Sequence, residues 1–195
     1  MCYYRLEFSE VENMEKPNLK DARIRTHNKV NIIRNFKISD ELKEIGKNKK
    51  YLVKTYGCQM NERDSENICA MLEGMGYTRT NTIDNADLVI LNTCAIRENA
   101  HNKVFGMLGR LKHLKEGRPI MVGVCGCMAQ EEVVVNEIIS KNKHVDFVIG
   151  THNLHRLPEV IKNSIDKNAL EVEVWSKEGD IIEDIPIKRE SKYKA

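Results

Sequence analysis

Short apolar runs and amphipathic stretches take turns along the middle of the chain. Tyr51–Gly57 (YLVKTYG) is β-branched and aromatic and ends in glycine, which signals a strand. Residues 61–75 then put Ile68, Leu72 and Met75 on one helical face and Glu62, Arg63 and Glu66 elsewhere. Gly76 suits the end of that helix. Tyr77–Asn81 is a weak strand. Ala86–Asn92 (ADLVILN) is continuously apolar, as expected of a strand covered on both faces. A helix from about Arg97 to Leu114 carries Val104, Leu108 and Leu111 along one stripe. Pro119 breaks the chain before a second buried strand, Ile120–Gly126 (IMVGVCG). Gln130–Ser140 reads as a helix with Val133, Val134, Ile138 and Ile139 apolar. Val145–Gly150 is a fifth strand, and His152 to about Ile165 a closing helix.

Strands alternating with helices require parallel pairing, because each crossover returns the chain to the same edge. The predicted fold class is therefore α/β: a doubly wound, mostly parallel five-stranded sheet with helices on both faces, a Rossmann- or flavodoxin-like three-layer sandwich. Residues 1–50 are polar and poorly patterned and read as an amino-terminal extension, with a brief helix from Ser39 to near Gly46. Residues 51–168 form the domain. Residues 169–195 read as a linker, although Leu170–Val174 (LEVEV) alternates as a strand would.

Composition narrows the function classes. The chain has 195 residues, 41% hydrophobic and 31% charged, so it can bury an ordinary core. No apolar run approaches the roughly 20 residues of a membrane span, and the first residues lack a signal-peptide core. The expectation is a cytoplasmic protein without a membrane partner. Net charge is only +2, but residues 1–50 hold 12 Lys/Arg against 8 Asp/Glu, while the remainder holds 19 against 21. The basic leader could touch nucleic acid; the core is not basic enough to bind it strongly alone.

Six cysteines change the picture: Cys2, Cys58, Cys69, Cys94, Cys125 and Cys127. A chain of this length without export signals does not need disulfides, so several cysteines point to metal or catalysis. Cys58, Cys94 and Cys127 each follow the end of a strand, 36 and 33 residues apart, about one βα unit each. If the strands are ordered 2-1-3-4-5, the three strand ends are neighbours spanning about 10 Å on one rim. Each also precedes a helix, whose free amides stabilise thiolates. Geometry alone leaves two readings open, a metal cluster or ordinary loop cysteines. Cys69 and Cys125 fall inside a helix and a strand and read as inert core thiols, with Cys125 a reserve ligand in its C-x-C pair. Cys2 is terminal. His27, His101, His113, His144, His152 and His155 read as surface or loop residues without a second ligand at useful spacing.

The segments Thr55–Glu66 (TYGCQMNERDSE), Ala86–Ala100 (ADLVILNTCAIRENA) and Gly123–Glu132 (GVCGCMAQEE) together resemble the amino-terminal domain of the radical methylthiotransferase family. The resemblance covers about residues 51–165. It implies a [4Fe-4S] cluster on Cys58, Cys94 and Cys127, with one iron left open to an exogenous sulfur species or a substrate atom. Asn61, Asn92, Arg97 and Gln130 lie beside those ligands, where they can orient thiolates or donate to cluster sulfides. Helix capping is an equal explanation for Asn61. Gln59 and Met60 after the first cysteine, with NTCAIRE, resemble the branch that modifies tRNA at the N(6)-isopentenyl adenosine beside the anticodon. The ribosomal-protein branch usually shows Pro-Lys at 59–60 and the threonylcarbamoyl-adenosine branch Lys-Val.

Members of the family continue into a radical domain with a second [4Fe-4S] cluster and S-adenosylmethionine, whose ligands need a C-x-x-x-C-x-x-C triplet. No such spacing occurs here. The resemblance thus implies the iron–sulfur part of a tRNA methylthiotransferase, a transferase that does not turn over by itself. It meets tRNA mainly through the missing domains, and its sulfur donor is unspecified. Two other classes remain. A nucleotide-binding module would use the same crevice, but G-x-G-x-x-G and G-x-x-x-x-G-K-S/T are absent. A zinc-binding scaffold would use the three cysteines with a water or histidine.

Overall fold

Apolar periodicity fixes the layers. In the computed structural model, which describes residues 32–33, 38–95, 98–174 and 181–182, the strands are β1 (Ile32–Ile33), β2 (Lys50–Tyr56), β3 (Thr78–Arg79), β4 (Leu88–Thr93), β5 (Met121–Gly126), β6 (Phe147–Ile149), β7 (Glu171–Glu173) and β8 (Ile181–Ile182). The helices are α1 (Asp40–Lys43), α2 (Gln59–Gly74), α3 (Glu98–Gly117), α4 (Glu132–Lys141) and α5 (Leu157–Lys167). One sheet runs β3-β2-β4-β5-β6-β7, parallel at every pairing. β1 and β8 pair separately, also in parallel.

The expected α/β class and the order of the five expected strands are observed, with β7 added at one edge. β7 lies within Leu170–Val174, the segment whose alternation read as a strand, and Glu171 and Glu173 flank an exposed Val172 there, as suits an edge. It places the sheet's last strand beyond residue 168.

β4 shows why the centre is stable. All six of its residues are buried, and its side chains alternate between two cores. Val89 and Leu91 join Val122, Val124 and Val148 beneath Val104, Leu108 and Leu111 of α3 and Val134, Val135 and Ile138 of α4. Leu88 and Ile90 join Phe147 and Ile149 beneath Ile68, Met71 and Leu72 of α2 and Leu157, Val160 and Ile161 of α5. Each fully buried aliphatic side chain contributes about 1.5–3 kcal/mol. Two helices on each face make the sandwich doubly wound.

Two local expectations are corrected. On α4, Val134 and Ile138 face the core with Val135, while Val133 is 79% exposed and Ile139 is 39% exposed. In a run of consecutive apolar residues, the helix's angle to the sheet decides which face inward. The closing helix begins later than expected, because residues 151–156 wind as a 3-10 turn before Pro158 opens α5. The end of α2 follows expectation. Gly76 has φ +89°, its N–H bonds to Glu73 O, and Tyr77 N–H reaches Leu72 O, forming a Schellman motif. Among the described residues no helix is long and apolar enough to cross a membrane.

Candidate metal centre

The three cysteines reach one rim because of sheet register. Tyr56 pairs with Thr93, and Thr93 with Gly126, at the last step of β2, β4 and β5. Cys94 and Cys127 each follow that last pair by one residue, and Cys58 follows Tyr56 by two. Adjacent strands lie about 4.8 Å apart. α2 and α3 leave β2 and β4 toward opposite faces, so the strand order reverses between them, where open α/β sheets form their crevice.

Cys58 and Cys94 lie on adjacent strand ends, and Cys94 N–H donates to Tyr56 O at 3.0 Å, two residues before Cys58. Cys58 is the N-cap of α2. Backbone N–H groups of Asn61 and Met60 point at its sulfur and hold its thiol below the ordinary value, with the Cys94 thiol adding to the effect. Cys127 is half-buried and opens a 3-10 turn, Cys127–Gln130, before α4. Gly126 just before it has φ +98°, and a Cβ there would overlap Thr93 O and Asn92 Oδ1. That turn is open to glycine alone.

Behind Cys58 lies a buried network of neutral groups. Asn61 Oδ1 accepts from the Cys58 N–H at 3.3 Å and from its thiol at 3.4 Å. Asn61 Nδ2 donates to Asn92 Oδ1 at 3.1 Å and to Thr93 O at 3.0 Å. Asn92 Nδ2 donates to Asn61 O at 2.7 Å and Ser65 Oγ at 2.8 Å. Ser65 Oγ and Thr55 Oγ1 are 2.7 Å apart. Asn61 therefore both closes a capping box and touches the thiol, so its two sequence readings are one arrangement. Both Asn61 and Asn92 are completely buried with their amides spent on protein partners, which leaves neither to donate to a cluster sulfide.

Gln130 stands elsewhere on the rim, with its amide against Gly150 and close to Asn153. Arg97 and Cys2 lie outside the described residues, as does His27. Cys69 and Cys125 are buried in the core shared by α2 and α5, and burial pushes the Cys125 thiol far up, so it stays protonated. Thr55 and Ser65 were not singled out by sequence. The available signal was a stripe, 61–65–68–72, whose first two members are polar on an otherwise apolar face.

Among the described residues, no three His, Cys, Asp or Glu side chains converge on a position for a single metal ion. A four-iron cubane makes a different demand, since each thiolate binds its own iron and the ligands stand apart across the cluster. Three thiols on consecutive strand ends, one lowered by helix N-terminal amides and backed by a glycine-lined approach, are a donor set suited to that group.

A doubly wound parallel domain with cysteines on three neighbouring strand ends is the class that fold and site define. A family model described as "Uncharacterized protein family UPF0004" matches residues 50–150, from the start of β2 past the end of β6. The chain belongs to that family. It is 52% identical over 182 residues to the tRNA-2-methylthio-N(6)-dimethylallyladenosine synthase of Staphylococcus haemolyticus (strain JCSC1435), covering 93% of this chain and 35% of that protein. Identity to the protein of the same name from Bacillus cytotoxicus is 52%, covering 93% of this chain and 36% of the relative. For Staphylococcus aureus (strain JH9) it is 51%, covering 93% and 35%. The chain spans about a third of the length of these relatives.

Proposed function

We propose that this chain carries the iron–sulfur site of a tRNA methylthiotransferase, with Cys58, Cys94 and Cys127 holding a [4Fe-4S] cluster. The observation that supports it is the shared rim: register brings Cys94 and Cys127 into step, and the Cys94 N–H bonds to Tyr56 O on the strand end that leads to Cys58. The activity proposed for the whole enzyme is addition of a methylthio group to the N(6)-isopentenyl-modified adenosine beside the anticodon of tRNA. It draws on S-adenosylmethionine and a second [4Fe-4S] cluster held by residues outside this chain. A cytoplasmic location accompanies this reading, since the substrate is tRNA.

The bound cluster would supply an iron without a protein ligand, free to take an exogenous sulfur. The residues of this chain do the rest. Helix α2 presents backbone N–H groups to the Cys58 sulfur and favours its thiolate. Asn61 fixes the turn from which Cys58 projects. The positive φ of Gly126 turns the chain into Cys127. Cys125, neutral and buried, stays out of the site.

Anaerobic reconstitution of the full chain with iron and sulfide tests the ligand set. Cys58→Ala, Cys94→Ala and Cys127→Ala each lose the cluster absorbance and most of the bound iron, while Cys69→Ala retains both. Wild-type iron and sulfide in any of the first three removes that residue from the set.

A further inference from the structure

We propose that Asn92 is the positioning residue that sets the mutual spacing of the three thiols, and that Ser65 and Thr55 hold it in the orientation this requires. The inference rests on reading Cys58, Cys94 and Cys127 as ligands, and adds residues that reading did not include.

Asn92 is linked to all three cysteine-bearing loops, to the first of them through Asn61. Through Asn61, Asn92 reaches the N–H and thiol of Cys58. It lies two residues before Cys94 on its own strand. On the third side, β5 passes so close that a Cβ on Gly126, the residue before Cys127, would overlap Asn92 Oδ1. A Cβ on Gly57, just before Cys58, would likewise overlap the Asn61 amide. The two glycines therefore leave space for the asparagine pair, and the pair fills it.

The orientation of the Asn92 amide follows from its partners. Its Nδ2 faces two acceptors, Asn61 O and Ser65 Oγ, and its Oδ1 faces the Nδ2 of Asn61. Turning it over would set oxygen against oxygen and nitrogen against nitrogen. Ser65 Oγ accepts from Asn92 and shares a second hydrogen bond with Thr55 Oγ1 on β2, 2.7 Å away, in which either hydroxyl can donate. The chain Thr55–Ser65–Asn92–Asn61–Cys58 thus ties β2, α2 and β4 together below the rim. The four members behind Cys58 are all neutral. The network fixes distances at the site without adding net charge beside a negatively charged cluster.

The test uses the full chain and a control on the opposite rim. Ser164 is also a buried serine, but its hydroxyl bonds backbone carbonyls, of Asp146 at 3.0 Å and Ala169 at 3.4 Å. Ser65→Ala, Asn92→Asp and Thr55→Val are compared with Ser164→Ala and with Thr55→Ser, which keeps the hydroxyl. In the reconstituted protein, the first three change the electron paramagnetic resonance line shape of the reduced cluster. They also speed iron loss to a chelator by about five- to tenfold, the equivalent of one lost hydrogen bond. Thr55→Ser and Ser164→Ala leave both readouts at wild type, even where Ser164→Ala lowers the melting temperature as much. In the iron-free protein, bridging of Cys58 and Cys94 by a dithiol-selective arsenical slows in the same three variants. Wild-type line shape, iron loss and bridging in Ser65→Ala overturn the proposal, whether or not Asn92→Asp folds. A wild-type protein that takes no cluster, with bridging still slowed in the variants, overturns the ligand reading and leaves the positioning role standing.

Discussion

The two rims of the sheet are finished with different chemistry. At the amino-terminal rim the connections are charged. Lys115 binds both oxygens of Asp146 at 2.6 Å, Asp146 also accepts from Val122 N–H, and Asp87 accepts from Lys50 N–H at 2.7 Å. Arg118 clamps the carbonyls of Ile83 and Ala86. At the carboxyl-terminal ends of β2, β4 and β5 the work falls to amides and hydroxyls, with the cysteines above them, and an Arg156–Glu173 ion pair closes the far end beside β7. Ionic groups at half-exposed strand ends keep part of their hydration and close loops at modest cost. A site meant for an anionic cluster gains from partners that fix geometry while leaving its charge to the thiolates and helix amides.

The amino-terminal rim also has a cleft of about 550 Å³, lined by Lys112, Lys115, Lys141, Lys143 and His144 among others. Two of its four lysines are held by carboxylates. Lys115 is paired with Asp146 and Lys141 with Glu137, and both lysines sit in last turns, where cations offset the negative ends of α3 and α4.

Gly126→Ala attacks the cysteine rim most severely. It forces a side chain into a φ of +98° and into overlap with Thr93 O, so stability falls by roughly 2–5 kcal/mol and cluster loading falls with it. Denaturant melts and iron content report the two effects. The counterpart on the other rim is Asp146→Ala. It leaves Lys115 and Val122 N–H without their carboxylate and costs about 1–3 kcal/mol, while iron content per folded chain stays at wild type. If Asp146→Ala depleted the cluster as Gly126→Ala does, the two rims would not be separable.

The smallest effect concerns Asp64, half-buried on α2, whose carboxyl is raised to about 6, chiefly by burial and partly offset by Arg63. A carboxyl raised above its unfolded value stabilises the fold when protonated. That contribution is fully present below about pH 4 and is lost as pH rises through 6. Asp64→Asn therefore stabilises the protein by about 1–2 kcal/mol at pH 8 and by little at pH 4. Thermal melts at both pH values check the difference.

Much of this arrangement is legible in the sequence, for a physical reason. A glycine or polar residue followed by cysteine at the end of an apolar run marks a strand end, and parallel topology then places such ends on one rim. Cys58, Cys94 and Cys127 could be grouped this way, and Cys69 and Cys125 set aside by their positions inside elements. What could not be read was finer. Val133 and Val134 are identical in chemistry, and only the tilt of α4 exposes the first and buries the second. Ser65 and Thr55 are ordinary residues in a helix and a strand until folding brings their hydroxyls within 2.7 Å. Gln130 lies three residues from Cys127 in sequence, yet the 3-10 turn carries its amide toward Gly150. β7 was legible as the alternation in Leu170–Val174, while its pairing with β6 at the sheet edge was not.

The most direct measurement is the iron and acid-labile sulfide bound per chain after anaerobic reconstitution, together with the Mössbauer spectrum. The account predicts about four of each and one iron subsite distinct from the rest, the signature of a corner without a protein thiolate. One zinc per chain, with no sulfide and no cluster absorbance, would contradict it.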